Sequence, residues 1–363
     1  MSIKRAVSTL LVLTAVTFAS CAGVSGAQEK AAGPAPQKVV IQADGTVDVP
    51  AHSVPLSSFL SPEAKAYMTD HLRDMQDPEM VKQDDGVPRF MKHYLQRDEE
   101  QFALDRTDER IAGVHVYTYV PKAGIAARNR KRVLINLHGG GFSGCWPGCA
   151  ELESMPVSAG MGIKVVTVDY REGPEYKFPA ASEDVAKVYT ELIKTYKPAN
   201  IGIYGCSAGG MLTAMSLAWF QAHNLPRPGA DGIFCASAGS FGGDANYIAF
   251  PLGEGRMPAA GQINQRRLGY FSDADMNDPL VQPSTSAAVL AKFPPTLIIT
   301  ATRDFAMSGA LHTDVLLTKA GVDSELHVWD GLFHGFFYDA DVPESKEAFG
   351  IIDSFFDRHL GRN

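Results

Sequence analysis

The sequence predicts an α/β architecture: a mostly parallel central sheet with helices on both faces and a small cap. Two observations carry this. From about residue 111 onward, short β-branched runs alternate with longer runs rich in Ala, Leu and Met. The turns that follow several of these strand-like runs hold glycine, serine, aspartate or histidine, the residues that active sites place at strand ends.

Residues 49–110 are polar and partly helical, and read as an N-terminal cap element outside the sheet. In "SPEAKAYMTDHLRDM", Ser61 can cap a helix that has Pro62 in its first turn. "GVHVYTYVP" is the first predicted strand, followed by the buried strands "RVLINLH" and "IKVVTVDY". "SEDVAKVYTELIKTY" is an amphipathic helix. "NIGIYG" is a short buried strand and "MLTAMSLAWFQAH" a buried helix, with a sharp turn between them. "DGIFCAS" is a further strand. Residues 240–290, rich in Gly, Pro and Asn, read as a cap insertion. "PTLIITA", "SGALHTDVLLTKAG", "SELHVWD" and "SKEAFGIIDSFFDRHL" then give strand, helix, strand and closing helix.

The 363 residues are 45% hydrophobic and 20% charged, enough for one large domain with an accessory element. Net charge is −8 with no long basic run, which argues against a nucleic-acid partner. At the N-terminus, Lys4 and Arg5 precede an apolar stretch from Ala6 to Ala19 that is short for a membrane span. Residues 1–27 therefore read as a signal peptide cleaved after Ala27, and residues 28–48 as a flexible spacer. The rival reading is a lipoprotein, with a lipid anchor at Cys21. No second apolar stretch approaches membrane-spanning length. The catalytic domain is expected over residues 111–363.

The turn "GCSAGG" places Ser207 between Gly205 and Gly209 at a strand-to-helix junction, the setting of a nucleophile elbow. A side chain at either glycine would clash with a neighbouring strand or helix. Serine is a weak nucleophile and needs a base, an acid to orient that base, and donors for the developing oxyanion. "HGGGF", His138 to Phe142, follows a predicted strand and suits the donors, joined by the N–H of Ala208. His334 in "GLFHGFF" is the base candidate. Asp304 in "TATRDF" is the acid candidate, with Asp330 and Asp278 as fallbacks. Cys206 precedes the turn tip and reads as a packed, inert thiol. In "CWPGC", two thiols with His138 form an incomplete metal set.

These motifs together resemble the hormone-sensitive-lipase-like branch of the α/β-hydrolases, the "HGGG" esterases and lipases, over about residues 110–360. The order Ser207, Asp304, His334 is the one this superfamily uses. The resemblance implies that Gly140 and Gly141 are the first two oxyanion donors. It also implies that "DYREGPEYKFPAA" shapes the wall of the site, with Asp169, Tyr170 and Glu175 structural. Two features depart from the branch. Cys206 stands where Asp or Thr is usual, and Arg303-Asp304-Phe305 resembles a subset that includes lactone hydrolases.

The expected activity is hydrolysis of short-chain acyl esters or lactones through an acyl-enzyme, with no cofactor. A ligand-binding protein on the same fold, or an amidase or peptidase with the same triad, are the alternatives. Cys145 and Cys149 are four apart with Pro147 and Gly148 between them, a spacing within disulfide range. An exported protein would meet an oxidising compartment, so a Cys145–Cys149 bridge is predicted; two free buried thiols are the alternative.

Overall fold

The computed structural model describes residues 38–257 and 269–361. The expected signal peptide and Cys21 lie outside these residues, as does part of the cap insertion. The chain divides into two compact units, residues 1–53 and 54–363. The first contains a small antiparallel hairpin, β1 (Val40–Ile41) and β2 (Val47–Asp48), within the stretch read as spacer.

The second unit carries α1 (Pro62–Asp74), the two-residue hairpin strands β3 (Gln83–Asp84) and β4 (Val87–Pro88), and α2 (Lys92–Gln101). The remaining strands are β5 (Leu104–Ile111), β6 (Val114–Pro121), β7 (Val133–Leu137), β8 (Lys164–Val168), β9 (Ile201–Cys206), β10 (Ala230–Phe234), β11 (Thr296–Arg303) and β12 (Ser324–Phe333). They form one eight-stranded sheet in the order β12-β11-β10-β9-β7-β8-β6-β5. The β5–β6 and β6–β8 pairs are antiparallel, and every other pair is parallel. β7 and β9 are buried along their whole lengths, which is why both read as continuous apolar runs.

Helices cover both faces. α3 (Gly148–Met161) and α9 (Pro343–His359) share one apolar core with α1 and α2. α4 (Ala180–Leu192), α5 (Ala208–Ala222), α7 (Ala287–Leu290) and α8 (Met307–Lys319) share the other. α6 (Ala245–Glu254) packs on the ends of β11 and β12, where a Cβ on Gly253 would stand 2.1 Å from the Arg303 carbonyl oxygen.

One expectation needs correction. The span assigned to the N-terminal cap, residues 49–110, runs into the sheet, because β5 begins at Leu104. Its sequence, "LDRTDERI", is exposed along most of both faces and lacks the apolar alternation of a half-buried strand. Charged side chains suit an edge strand because they discourage further pairing. α1 packs at the sheet end: His71 stacks on Phe333 at 3.5 Å, one residue before His334. Ser61 accepts the Ala64 N–H at 3.0 Å, closing the predicted N-cap.

The chain leaves β7 toward β8 on one side, then crosses back over β7 to β9 on the other. The ends of β7 and β9 therefore flank a topological switch point, where open α/β sheets leave a crevice.

Candidate active site

Ser207 is the hinge between β9 and α5, with φ 55° and ψ −119°. A side-chain-bearing residue held there costs about 1–3 kcal/mol, and the surroundings must enforce it. The Ser207 N–H donates to the Phe234 carbonyl at 2.8 Å, and its own carbonyl accepts the Met211 N–H at 3.0 Å. A Cβ on Gly205 would stand 2.1 Å from the Leu137 carbonyl oxygen, and one on Gly209 only 1.7 Å from the same atom. The clash anticipated from the sequence is thus with the last residue of β7. Only glycine lets the elbow sit against that strand end.

Leu137 pairs with Gly205 in the β7–β9 register, so the loop after β7 starts level with the elbow, one strand away. Gly140 has φ 121°, and a Cβ there would meet the Gly144 carbonyl oxygen at 1.8 Å. The N–H groups of Gly140 and Gly141 donate to no acceptor among the described residues. Ala208 is the first residue of α5, so its N–H has no intrahelical acceptor. Behind the loop, His138 is fully buried and burial lowers its pKa to about 4. The neutral ring donates Nδ1–H to the Gly139 carbonyl at 2.7 Å and stacks on Tyr170 at 4.4 Å. The Tyr170 hydroxyl donates to the His138 carbonyl at 2.6 Å.

Asp304 and His334 follow the paired ends of β11 and β12. His334 Nδ1 lies 2.7 Å from Asp304 Oδ1. The same oxygen accepts the Ala306 N–H at 2.8 Å, and Oδ2 accepts the Thr300 hydroxyl at 2.8 Å. Asp304 is fully buried. Burial opposes its charge, but the charge of His334 and three hydrogen bonds prevail and hold the carboxyl below its usual range. Burial likewise opposes a charged His334, yet the Asp304 charge and hydrogen bond hold the imidazole above its usual 6.5. Phe305 stacks on the His334 ring at 4.1 Å, and the Gly335 N–H meets Cys235 Sγ at 3.2 Å. No hydrogen bond joins Ser207 Oγ to His334 among the described contacts; such bonds are often long in a free enzyme and tighten with substrate.

The fallback acids sit elsewhere. Asp330 accepts from the hydroxyls of Ser57 and Thr302, and Asp278 accepts the Leu280 N–H at 2.9 Å. Asp169 pairs with His115 at 2.8 Å, while Glu175 is exposed. Cys145 and Cys149 are joined as a disulfide, with 5.4 Å between Cα atoms. Cys206 is buried, and burial raises its thiol pKa. Cys235, Asp304 and His334 present donor atoms within 4.8 Å of one another. That set suits a metal poorly: burial keeps the Cys235 thiol protonated, and both Asp304 oxygens already accept hydrogen bonds.

Sequence reasoning passed over Glu153. It lies in α3, itself unassigned from the sequence, and is 2% exposed. Its carboxylate accepts from Gly139, Tyr338, Asn136 and Cys206 at once. A glutamate amid "CAELESMPV" carries no signal that separates it from a solvated helix face.

The family described as alpha/beta hydrolase fold matches residues 134–338. Among curated proteins, an acetyl-hydrolase of Streptomyces hygroscopicus is 27% identical over 63% of this chain and 76% of its own length. Carboxylesterase NlhH of Mycobacterium tuberculosis is 29% identical over 68% of this chain and 80% of its own. Among solved structures, esterase E25 superposes with a TM-score of 0.74 at 26% identity, covering 86% of this chain and 99% of that one. An esterase of the bacterial hormone-sensitive lipase family shares the fold, with a TM-score of 0.70 at 22% identity over 83% of this chain and 99% of its own. A strained serine elbow, a glycine loop and a part-buried Asp–His pair at one sheet end accompany that likeness, and the chain belongs to the α/β-hydrolase-fold family.

Proposed function

We propose that the chain is a serine carboxylesterase that cleaves short-chain acyl esters or lactones through an acyl-enzyme. It is a hydrolase acting on ester bonds, as the names of its relatives and structural neighbours support. The observation that carries the finer reading is the pairing of buried Asp304 with part-buried His334 beside the elbow: a charge-assisted hydrogen bond that fixes Nδ1–H and leaves Nε2 for the serine.

In this mechanism His334 Nε2 takes the Ser207 hydroxyl proton as Oγ attacks the ester carbonyl carbon. Asp304 stabilises the imidazolium. The N–H groups of Gly140, Gly141 and Ala208 receive the oxyanion. Collapse breaks the bond to the leaving oxygen, which departs as the alcohol with the proton from His334. Water then attacks the acyl-enzyme with the same base, releasing the acid and free serine. A lactone follows the same path, its alcohol staying tethered to the acyl group.

The preference for short chains is supported by aromatic packing beside the oxyanion loop. Phe142 stacks on Tyr270 at 4.9 Å and meets Phe271 edge-on at 5.0 Å. Export through the N-terminal 27 residues, with a lipid anchor at Cys21 as the rival outcome, belongs to the same proposal. Among the described residues no helix is long and apolar enough to cross a membrane.

The test is hydrolysis of p-nitrophenyl acetate, butyrate and laurate and of a γ-lactone by the wild type and Ser207→Ala. A fluorophosphonate should add its mass at Ser207. Turnover retained above about a tenth in Ser207→Ala would remove the assignment.

A further inference from the structure

We infer that Glu153 is the positioning residue of this site: one buried carboxylate that ties the oxyanion loop, the elbow and the histidine loop into a single rigid unit. The inference rests on the catalytic reading above and deepens it.

Four donors converge on this group from three parts of the chain: the end of β7 with the loop after it, the elbow, and the histidine loop. Oε1 accepts the Gly139 N–H at 2.9 Å and the Tyr338 hydroxyl at 2.8 Å. Oε2 accepts the Asn136 side-chain amide at 2.9 Å and the Cys206 N–H at 3.3 Å. Gly139 immediately precedes the candidate donor Gly140, Cys206 immediately precedes Ser207, and Tyr338 lies four residues beyond His334. The helix is anchored too, since the Tyr204 hydroxyl donates to the Glu153 carbonyl at 2.9 Å. Asn136 is fixed in turn by the Thr167 hydroxyl on its Oδ1 at 2.6 Å.

The packing leaves little room for anything else. A Cβ on Gly139 would come within 3.0 Å of the Tyr338 hydroxyl and 3.4 Å of Glu153 Oε1. No basic side chain pairs with Glu153 among the described residues, so hydrogen bonds alone support the charge. Burial pushes the carboxyl up to about 7 while those bonds pull it down. Three of the four partners can only donate: two backbone N–H groups and the Asn136 amide. The ionised form is therefore the one that satisfies all four, and only Tyr338 can turn to accept a proton.

An isosteric amide cannot replace this carboxylate. Whichever way Glu153→Gln is turned, its NH2 faces either the Gly139 N–H or the Cys206 N–H and the Asn136 amide. One catalytic segment must move. Because the oxyanion loop acts in the transition state, the loss should fall on kcat and kcat/KM together.

The experiment compares wild type, Glu153→Gln and the milder Tyr338→Phe in the full chain. Two readouts are p-nitrophenyl butyrate kinetics and amide hydrogen exchange over residues 138–142 and 205–208. Glu153→Gln should lower kcat by about 10²–10³, the worth of one misplaced oxyanion donor, with KM within about threefold. Tyr338→Phe should lower kcat by about tenfold. Exchange in both segments should speed up by on the order of tenfold in Glu153→Gln, beyond any change in global stability. If both variants fold with kcat within about threefold and exchange unchanged, the inference is overturned, even where Tm drops. Should Glu153→Gln fail to fold, Tyr338→Phe decides by the same two readouts. Should the wild type cleave no ester, exchange alone decides, so the catalytic reading and this one fail separately.

Discussion

Asp304→Asn isolates what the buried aspartate contributes. Asp304 Oδ1 accepts both the His334 Nδ1–H and the Ala306 N–H, and Oδ2 accepts only the Thr300 hydroxyl. An asparagine can keep its carbonyl oxygen at the Oδ1 position, because its NH2 then faces a hydroxyl that can rotate to accept. The His334 tautomer is thereby preserved, and what is lost is the charge. Two unit charges about 4 Å apart interact by about 4 kcal/mol at an effective dielectric of 20. At about 1.4 kcal/mol per decade this predicts a loss in kcat of about 10³-fold. A flipped tautomer would cost more, about 10⁴-fold. The pH profile gives an independent reading. His334 must be neutral to act as the base, and its pKa is held above 6.5 by Asp304 against burial. The acid limb of kcat/KM in the wild type should therefore have its midpoint above 6.5. In Asp304→Asn the nearest charge and its hydrogen bond are gone, only the Glu254 and Glu153 carboxylates still oppose burial, and the limb should move to lower pH. The assay is p-nitrophenyl butyrate hydrolysis between pH 4.5 and 9. A loss under about tenfold, or an acid limb that stays in place, refutes the assignment. A larger loss in Asp330→Asn would transfer the role to Asp330.

Ser207→Ala should lower turnover by about 10⁴–10⁶-fold with the fold intact, measured by single-turnover kinetics alongside circular dichroism. Reducing the Cys145–Cys149 bridge should remove only about 2 kcal/mol of stability, because the closed loop is short. It should lower turnover more than Tm, since Gly144 packs against Gly140; unchanged turnover after dithiothreitol would dismiss that role. The Tm advantage of wild type over Asp304→Asn should depend on pH in a defined sense. The raised His334 pKa stabilises the fold fully below 6.5 and less as pH climbs through its folded value, while the lowered Asp304 pKa stabilises above 3.8 and less as pH falls through its folded value. The advantage should thus peak between these limits and shrink toward pH 9; a flat difference would contradict the pairing. Among p-nitrophenyl esters, acetate and butyrate should exceed laurate in kcat/KM, and a profile rising with chain length would argue against the short-chain reading.

The parallel strands were legible because burial on both faces writes an unbroken apolar run, as in "RVLINL" and "NIGIYG". β5 was not, because an edge strand exposed on both faces has no apolar alternation to read. α3 was missed for the opposite reason. It is buried around most of its circumference, from Gly148 through Ser158, so the 3.6-residue stripe that marks a surface helix is absent. Pro156 within it further disguised the pattern.

The same contrast governs the site. Ser207, Asp304 and His334 stand out in the sequence because each sits in a short turn bounded by strand and helix signals, where composition changes abruptly. The elbow glycines could be predicted as sterically required, although their common obstacle, the Leu137 carbonyl, belongs to a strand nearly seventy residues upstream. Glu153 offers no such local sign. Its importance comes from long-range convergence: its partners lie at residues 136, 139, 206 and 338, and only the register of β7 against β9 and the return of the chain after β12 bring them together. Burying an unpaired carboxylate is costly unless hydrogen bonds replace its water. A helix that carries one inward, at the point where the three candidate turns meet, has given up stability that an apolar residue could have supplied. That sacrifice is accounted for if the carboxylate acts on geometry: four fixed donors around one acceptor determine positions more sharply than apolar contacts, which tolerate repacking.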